Sequence, residues 1–192
     1  MASFIVVSVA GRQSADPGED TVEFVEAADA LQHQMSFVLG SCRYPGIMWQ
    51  QREADQIFGP MFEQAQVLRK EVPARFVLMV GDQIYADLFN RMVPIGRADT
   101  FEEFQQRYHT AFGSLSMRRL LRHLPTYMIL DDHEIEDNWT QDRIKMAASR
   151  TLFMHAIRAY MSYQWSHGPR TYGGRLYYRF ECNGYPFFVL DT

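Results

Sequence analysis

"RFVLMVGDQIYAD", residues 75–87, joins an unbroken apolar run to a polar segment that opens on a glycine. The run from Phe76 to Val80 has no polar residue at alternate positions, so it reads as a strand buried on both faces, the pattern of a parallel sheet covered by other layers. Working outward, "MSFVLGSC" (35–42) is a similar run before it, and "TYMIL" (126–130), entered through Pro125, is a third after it. The stretches between have helical spacing. From about Glu53 to Lys70 the apolar positions are Ile57, Met61, Phe62, Ala65 and Leu68. Phe101, Phe104, Tyr108, Phe112 and Leu115 recur at the same spacing before Leu120 and Leu121, and a long helical stretch runs from about Asp142 to Gln164. Two β-rich runs flank Asn183-Gly184 near the end, the strongest short hairpin signal. The order predicts an α/β protein with a largely parallel sheet flanked by helices and a C-terminal β-hairpin.

The opening "MASFIVVSVAGRQ" reads as a strand: its apolar run is short and no basic stretch precedes it. The turn-rich "GRQSADPGED" that follows suggests that residues 1–35 are a strand and linker remnant outside the main sheet, with the principal domain at 36–192. A net charge of −4 argues against a polyanion-binding surface, so no nucleic-acid partner is expected. No apolar stretch approaches the roughly 20 residues that span a bilayer, which gives the expectation of a cytoplasmic chain with no membrane partner. Cys42 and Cys182 are too few for a disulfide framework and are read as reduced thiols.

In such a sheet the segments leaving the carboxyl ends of the strands gather along one edge. They are "GSCRYPG" (40–46), "GDQIYAD" (81–87) and "DDHEIEDNW" (131–139), and they offer a thiol, phenols, carboxylates, an imidazole and a carboxamide. Singly, each has an ordinary reading. Asp82 caps a turn, Tyr85 is a half-buried aromatic, Cys42 is a small hydrophobe, and the acidic third segment is a solvated helix N-terminus. As a set they have a metal-site composition, in which Asp82 and Tyr85 at i and i+3 reach one ion if the chain turns helically after Asp82. Thiolate, phenolate and carboxylate suit trivalent iron, and His133 among acidic neighbours can donate a proton or hold an oxyanion. His109, His123 and His155 are read as helix residues without a ligand role. No Gly-rich phosphate loop of dinucleotide or P-loop spacing is present.

"FVLGSC", "GDQIYAD", "LPTYMILDDHEIEDNW" and "FFVLDT", in that order, resemble the alkaline phosphatase D family, the PhoD-like branch of the calcineurin-like metallophosphatases. The resemblance implies a sandwich-like α/β metallophosphatase core and hydrolysis of small phosphomonoesters or phosphodiesters, with Fe(3+) and a second, divalent cation, Ca(2+), as cofactors. By motif it makes Cys42, Asp82 and Tyr85 iron ligands, Asp82 a bridge between the metals, and Asn138 and Asp132 ligands of the second. His133 then faces the phosphate, and Arg43, from its position beside Cys42, is a candidate phosphate clamp with a surface arginine as the alternative. The family carries further ligands after the last matching stretch, so the expectation is the N-terminal part of a catalytic domain. The alternative expectation is a catalytically inactive fragment, or a module that binds calcium weakly.

Overall fold

A computed structural model describes residues 3–10, 34–44, 55–68, 74–88 and 96–191. Strands β1 (Ser3–Ala10), β2 (Gln34–Ser41), β3 (Ala74–Val80) and β4 (Thr126–Ile129) form one sheet in that order. The last three are parallel, with Val38 opposite Val77 and Val77 opposite Thr126. β1 runs antiparallel to β2, from Ser3 opposite Ser41 to Ala10 opposite Gln34, so the first strand belongs to the main sheet, where the sequence suggested a remnant outside it. An antiparallel neighbour needs no helical crossover, which is why the lack of a helical pattern after β1 did not exclude it.

Helix α1 (Phe58–Leu68) connects β2 to β3 behind a 3-10 turn at Asp55–Ile57, and α2 (Phe101–Phe112) and α3 (Leu115–His123) connect β3 to β4. The helical periodicity continues through the α2–α3 junction, but the backbone does not. Gly113 ends α2, and the Ser114 side chain accepts the Met117 N–H at 3.3 Å to start α3. Thr100 and Glu103 form a capping box at the start of α2. The expected helix over 142–164 likewise divides, into a 3-10 turn (Gln141–Lys145) and α4 (Ala147–Tyr163), because Met146 between them is extended at φ −83° and ψ 135°. No helix among the described residues is long and apolar enough to cross a membrane.

Alternation along β3 sets the layers. Val77 and Met79 join Val38 and Met128 on one face and pack against Phe58, Met61 and Phe62 of α1 and Met117 and Leu120 of α3. Two crossovers taken in the same direction put both connections on that face. Phe76 and Leu78 point the other way, with Met35, Phe37 and Tyr127, and are covered by the hairpin of β5 (Tyr178–Cys182) and β6 (Tyr185–Val189) through Phe180 and Phe187. The hairpin turns at Asn183 and Gly184, with φ of 52° and 79°, the two positive values a type I′ turn requires. The Tyr178 hydroxyl donates to the Met128 carbonyl at 2.9 Å and ties the hairpin layer to β4.

Helices α2 and α4 pack together at the carboxyl edge of the sheet. Their cluster, built on Phe104, Tyr108, Leu152, Ala156 and Ala159, also takes in Ile84 and Ala86 from the loop after β3 and Ile135 from the loop after β4. Both polar loops are therefore anchored by apolar residues sunk into one cluster, which leaves their intervening polar residues at the edge.

Candidate metal centre

Three loops leave the carboxyl ends of β2, β3 and β4 and are stitched together through their backbones. The Cys42 N–H donates to the Gly81 carbonyl at 3.2 Å, Arg43 N–H to the Asp82 carbonyl at 2.8 Å, and Ala86 N–H to the His133 carbonyl at 2.9 Å. Gly81, at φ 92°, lets the second and third loops meet, since a Cβ there would lie 2.4 Å from the Asp131 Cβ. Cys42, Asp82 and Asn138, one on each loop, have left-handed φ values of 55°, 57° and 55°. Such conformations cost about 1–3 kcal/mol each and persist where the surrounding structure over-determines them, as it does at functional sites.

Glu134 lies beneath these loops at 1% exposure. Its Oε2 accepts the N–H groups of Asp82 and Asp131, each at 3.0 Å, and its Oε1 accepts Gln83 N–H at 2.6 Å and the Gln164 side-chain amide at 2.9 Å. Burial pushes its carboxyl up to about 7 against the pull of these donors.

Around this hub stand the titratable side chains. Oxygens of Asp82 and Asp132 and a ring nitrogen of His133 lie within 4.8 Å of one another, and so do donor atoms of Asp87, His133 and Asp137. Asp82 Oδ2 is 3.5 Å from the Tyr85 hydroxyl, while the buried Asp82 Oδ1 has no hydrogen-bond partner among the described residues. The i, i+3 pairing expected from a helical turn is thus present, but it is made by a left-handed residue at Asp82 and a following bend. His133 Nδ1 is 2.8 Å from Asp87 Oδ1, its Nε2 is 3.8 Å from Asp137 Oδ1, and its ring lies 4.2 Å from that of Tyr85. Asp87 Oδ2 also accepts the Asp137 N–H at 2.7 Å.

The groups perturb one another as a crowded anionic site does. Burial pushes the Asp82 carboxyl above its ordinary value, although the Cys42 thiol and the His133 charge pull it down. Burial, then the Asp82 charge, pushes the Tyr85 phenol far up. The Ser41 hydroxyl pulls the Cys42 thiol down, but burial and the charges of Asp82 and Asp131 together leave it raised. Burial lowers His133 and Asp87 more than offsets it, carrying the imidazole to about 9; burial raises Asp87, and its bonds to His133 and Asp137 bring it below the ordinary carboxylate range. Raised thiol, phenol and carboxyl values in one place mean that negative charges there lack compensation, and a cation would supply it.

Of the residues singled out from sequence, Asp82, Tyr85, Asp132 and His133 meet, and Cys42 stands close enough for its thiol and the Asp82 carboxylate to shift each other. Asn138 is exposed, with its N–H on Asp132 Oδ2. Arg43 does not face the edge as a clamp. Its guanidinium is buried, ion-paired with Asp55 and 5.4 Å from the Phe58 ring centroid, because the chain turns it toward the helix layer. The acidic third loop is a series of turns and not a helix start, and its Glu136 binds Arg97 and Arg143. Sequence reasoning missed Glu134, Gln164 and Asp87. Asp87 closes the quoted "GDQIYAD" and was within reach of the same argument; Gln164 carried no signal, being 30 residues from its partner Glu134.

A parallel sheet with acids, phenol, thiol and imidazole gathered at its carboxyl edge defines an α/β protein whose edge carries a donor set that fits a metal ion. The model of the PhoD-like phosphatase family matches residues 44–192, and the chain belongs to that family of phosphatase-type hydrolases, whose members bind metals. Cys42 and Arg43 precede the matched residues. No curated protein and no solved structure matches the chain.

Proposed function

We propose that this edge is the working site of a metal-dependent phosphoric ester hydrolase that acts on small phosphomonoesters or phosphodiesters. One observation carries the reading: Asp82, with a buried and unpartnered Oδ1, meets Tyr85, Asp132 and His133 where three loops converge beside Cys42. In this reading Cys42, Asp82 and Tyr85 would hold ferric iron, and Asp82, Asp132 and Asn138 would hold a divalent ion, calcium by the family resemblance. Bound there, the cations supply polarisation of the phosphoryl oxygens and acidify the attacking water.

The chain's own residues do the rest. Asp87 holds the proton on His133 Nδ1 and the Tyr85 ring fixes the imidazole plane, which leaves Nε2, 3.8 Å from Asp137 Oδ1 and beyond hydrogen-bond distance of it, to act on the substrate. The Asp87 carboxylate favours the protonated imidazole, so His133 would deliver a proton from Nε2 to the leaving alcohol oxygen. Closure of the loops around apolar anchors keeps bulk water from the side of the site nearest α2 and α4.

The test is iron content together with the visible spectrum after loading with ferric nitrilotriacetate. The expected result is near-stoichiometric iron and a charge-transfer band that disappears in Tyr85→Phe and shifts in Cys42→Ser. A colourless protein that takes up no iron refutes the reading. Hydrolysis of p-nitrophenyl phosphate against bis(p-nitrophenyl) phosphate then distinguishes monoesterase from diesterase.

A further inference from the structure

We propose that Glu134 is the positioning residue of this site, holding the loops after β3 and β4 in one register and locking Asp82 in the left-handed conformation that turns its carboxylate toward Tyr85, Asp132 and His133. The inference rests on the metal-dependent reading above but is argued from hydrogen bonds alone. A carboxylate has about four lone-pair positions, and Glu134 fills them with four donors from three parts of the chain. Nothing remains to bind a cation or a substrate, and at 1% exposure neither could reach it. Its work is therefore done on other residues.

Oε2 is the decisive atom. It accepts the Asp82 N–H of one loop and the Asp131 N–H of the other, each at 3.0 Å, so a single oxygen sets the spacing between the residue before Asp132 and the residue that would bridge the ions. The Asp82 N–H belongs to a residue at φ 57°, and a fixed acceptor for that N–H opposes its return to an ordinary backbone conformation. Oε1 accepts the next N–H, that of Gln83, and is itself held by Gln164, which lies just after α4 and also reaches the Tyr108 hydroxyl at 3.3 Å. The end of α4 thus supports the clamp from behind. A glutamine at 134 could accept through one oxygen only, and its amide hydrogens would confront two backbone N–H groups.

The experiment compares the wild-type chain with Glu134→Gln and Tyr178→Phe, measuring ferric iron affinity by competition with nitrilotriacetate, urea stability, and amide hydrogen exchange at Asp82, Gln83 and Asp131 without metal. A positioning role predicts at least a tenfold loss of iron affinity in Glu134→Gln. Tyr178→Phe, which removes the hairpin's bond to β4 and leaves every donor to Glu134 in place, loses stability but keeps its iron affinity within about threefold. The three amides exchange slowly in the wild type and at least tenfold faster in Glu134→Gln. Iron affinity that falls in both variants in proportion to stability, or that is unchanged in Glu134→Gln, overturns the proposal. If the wild type takes up no iron, the metal reading fails and exchange alone judges the clamp. If Glu134→Gln does not fold, the wild type decides, and exchange at the rate of exposed loop amides overturns it.

Discussion

Replacing Gly81 by alanine would test whether the close meeting of two loops makes the site. Gly81 sits at φ 92°, where a side chain costs about 1–2 kcal/mol in backbone strain. Its new Cβ would lie 2.4 Å from the Asp131 Cβ, roughly 1 Å inside van der Waals contact, and the obstacle sits on the backbone of a loop pinned by Glu134. Forcing such an overlap apart costs about 1–3 kcal/mol more, giving roughly 2–5 kcal/mol in all. At about 2–4 °C per kcal/mol for a chain of this size, the expected loss is roughly 4–20 °C in Tm. Gly184→Ala is the control: φ is 79° and nothing lies within 4 Å of its Cβ, so only the backbone strain remains, about 1–2 kcal/mol. Urea unfolding of the metal-free protein reads both. A displacement of about 1 Å between Asp82 and Asp132 is of the size that costs on the order of 100-fold in rate, so iron affinity and phosphatase activity should fall in Gly81→Ala and hold in Gly184→Ala. If Gly81→Ala unfolds within 0.5 kcal/mol (about) of Gly184→Ala, the geometric argument is wrong.

In Asp87→Asn the His133 imidazole should fall from about 9 toward or below its ordinary 6.5, followed by proton NMR of the metal-free protein. The stability contributed by the raised His133 is fully present below pH 6.5 and is lost as pH rises through about 9, while that of the lowered Asp87 is present above 3.8 and lost as pH falls through its folded value. The gap between wild type and Asp87→Asn should therefore be widest between pH 3.8 and 6.5, and a gap that grows above pH 9 would contradict the pairing. Asp55→Ala leaves the buried Arg43 guanidinium without its counter-ion and should cost about 2–4 kcal/mol in urea unfolding, whereas Arg43→Met should cost about 1 kcal/mol or less; equal costs would show that the ion pair is not what holds the loop. Tyr178→Phe removes the bond to the Met128 carbonyl and should lower stability by about 1–2 kcal/mol with no change in iron uptake.

Strand and helix placement was readable from the chain because both follow from local periodicity. The apolar run ending at Val80, the helical spacing of Phe101, Phe104, Tyr108 and Phe112 and the Asn183-Gly184 turn each need only their neighbours to act. Two helical breaks escaped that reading, since apolar spacing continues across Gly113-Ser114 and across Met146 while the hydrogen bonding does not. The site was partly readable for a related reason. Parallel strands gather the segments at their carboxyl ends, so the meeting of Asp82, Tyr85, Asp132 and His133 follows from topology once the strands are found.

Local pattern along the chain carries the element types, the parallel order of β2 to β4, and which polar segments share an edge. Contacts between distant segments set the rest: β1 joins the sheet, Arg43 turns to Asp55, Asp87 holds His133, and Glu134 lies buried beneath the loops. The physical reason is that turn residues have no repeating direction. Asp87 meets a residue 46 positions away and Glu134 one 52 positions away, so where each side chain points depends on left-handed backbone turns and on the distance between strands, which no local pattern specifies.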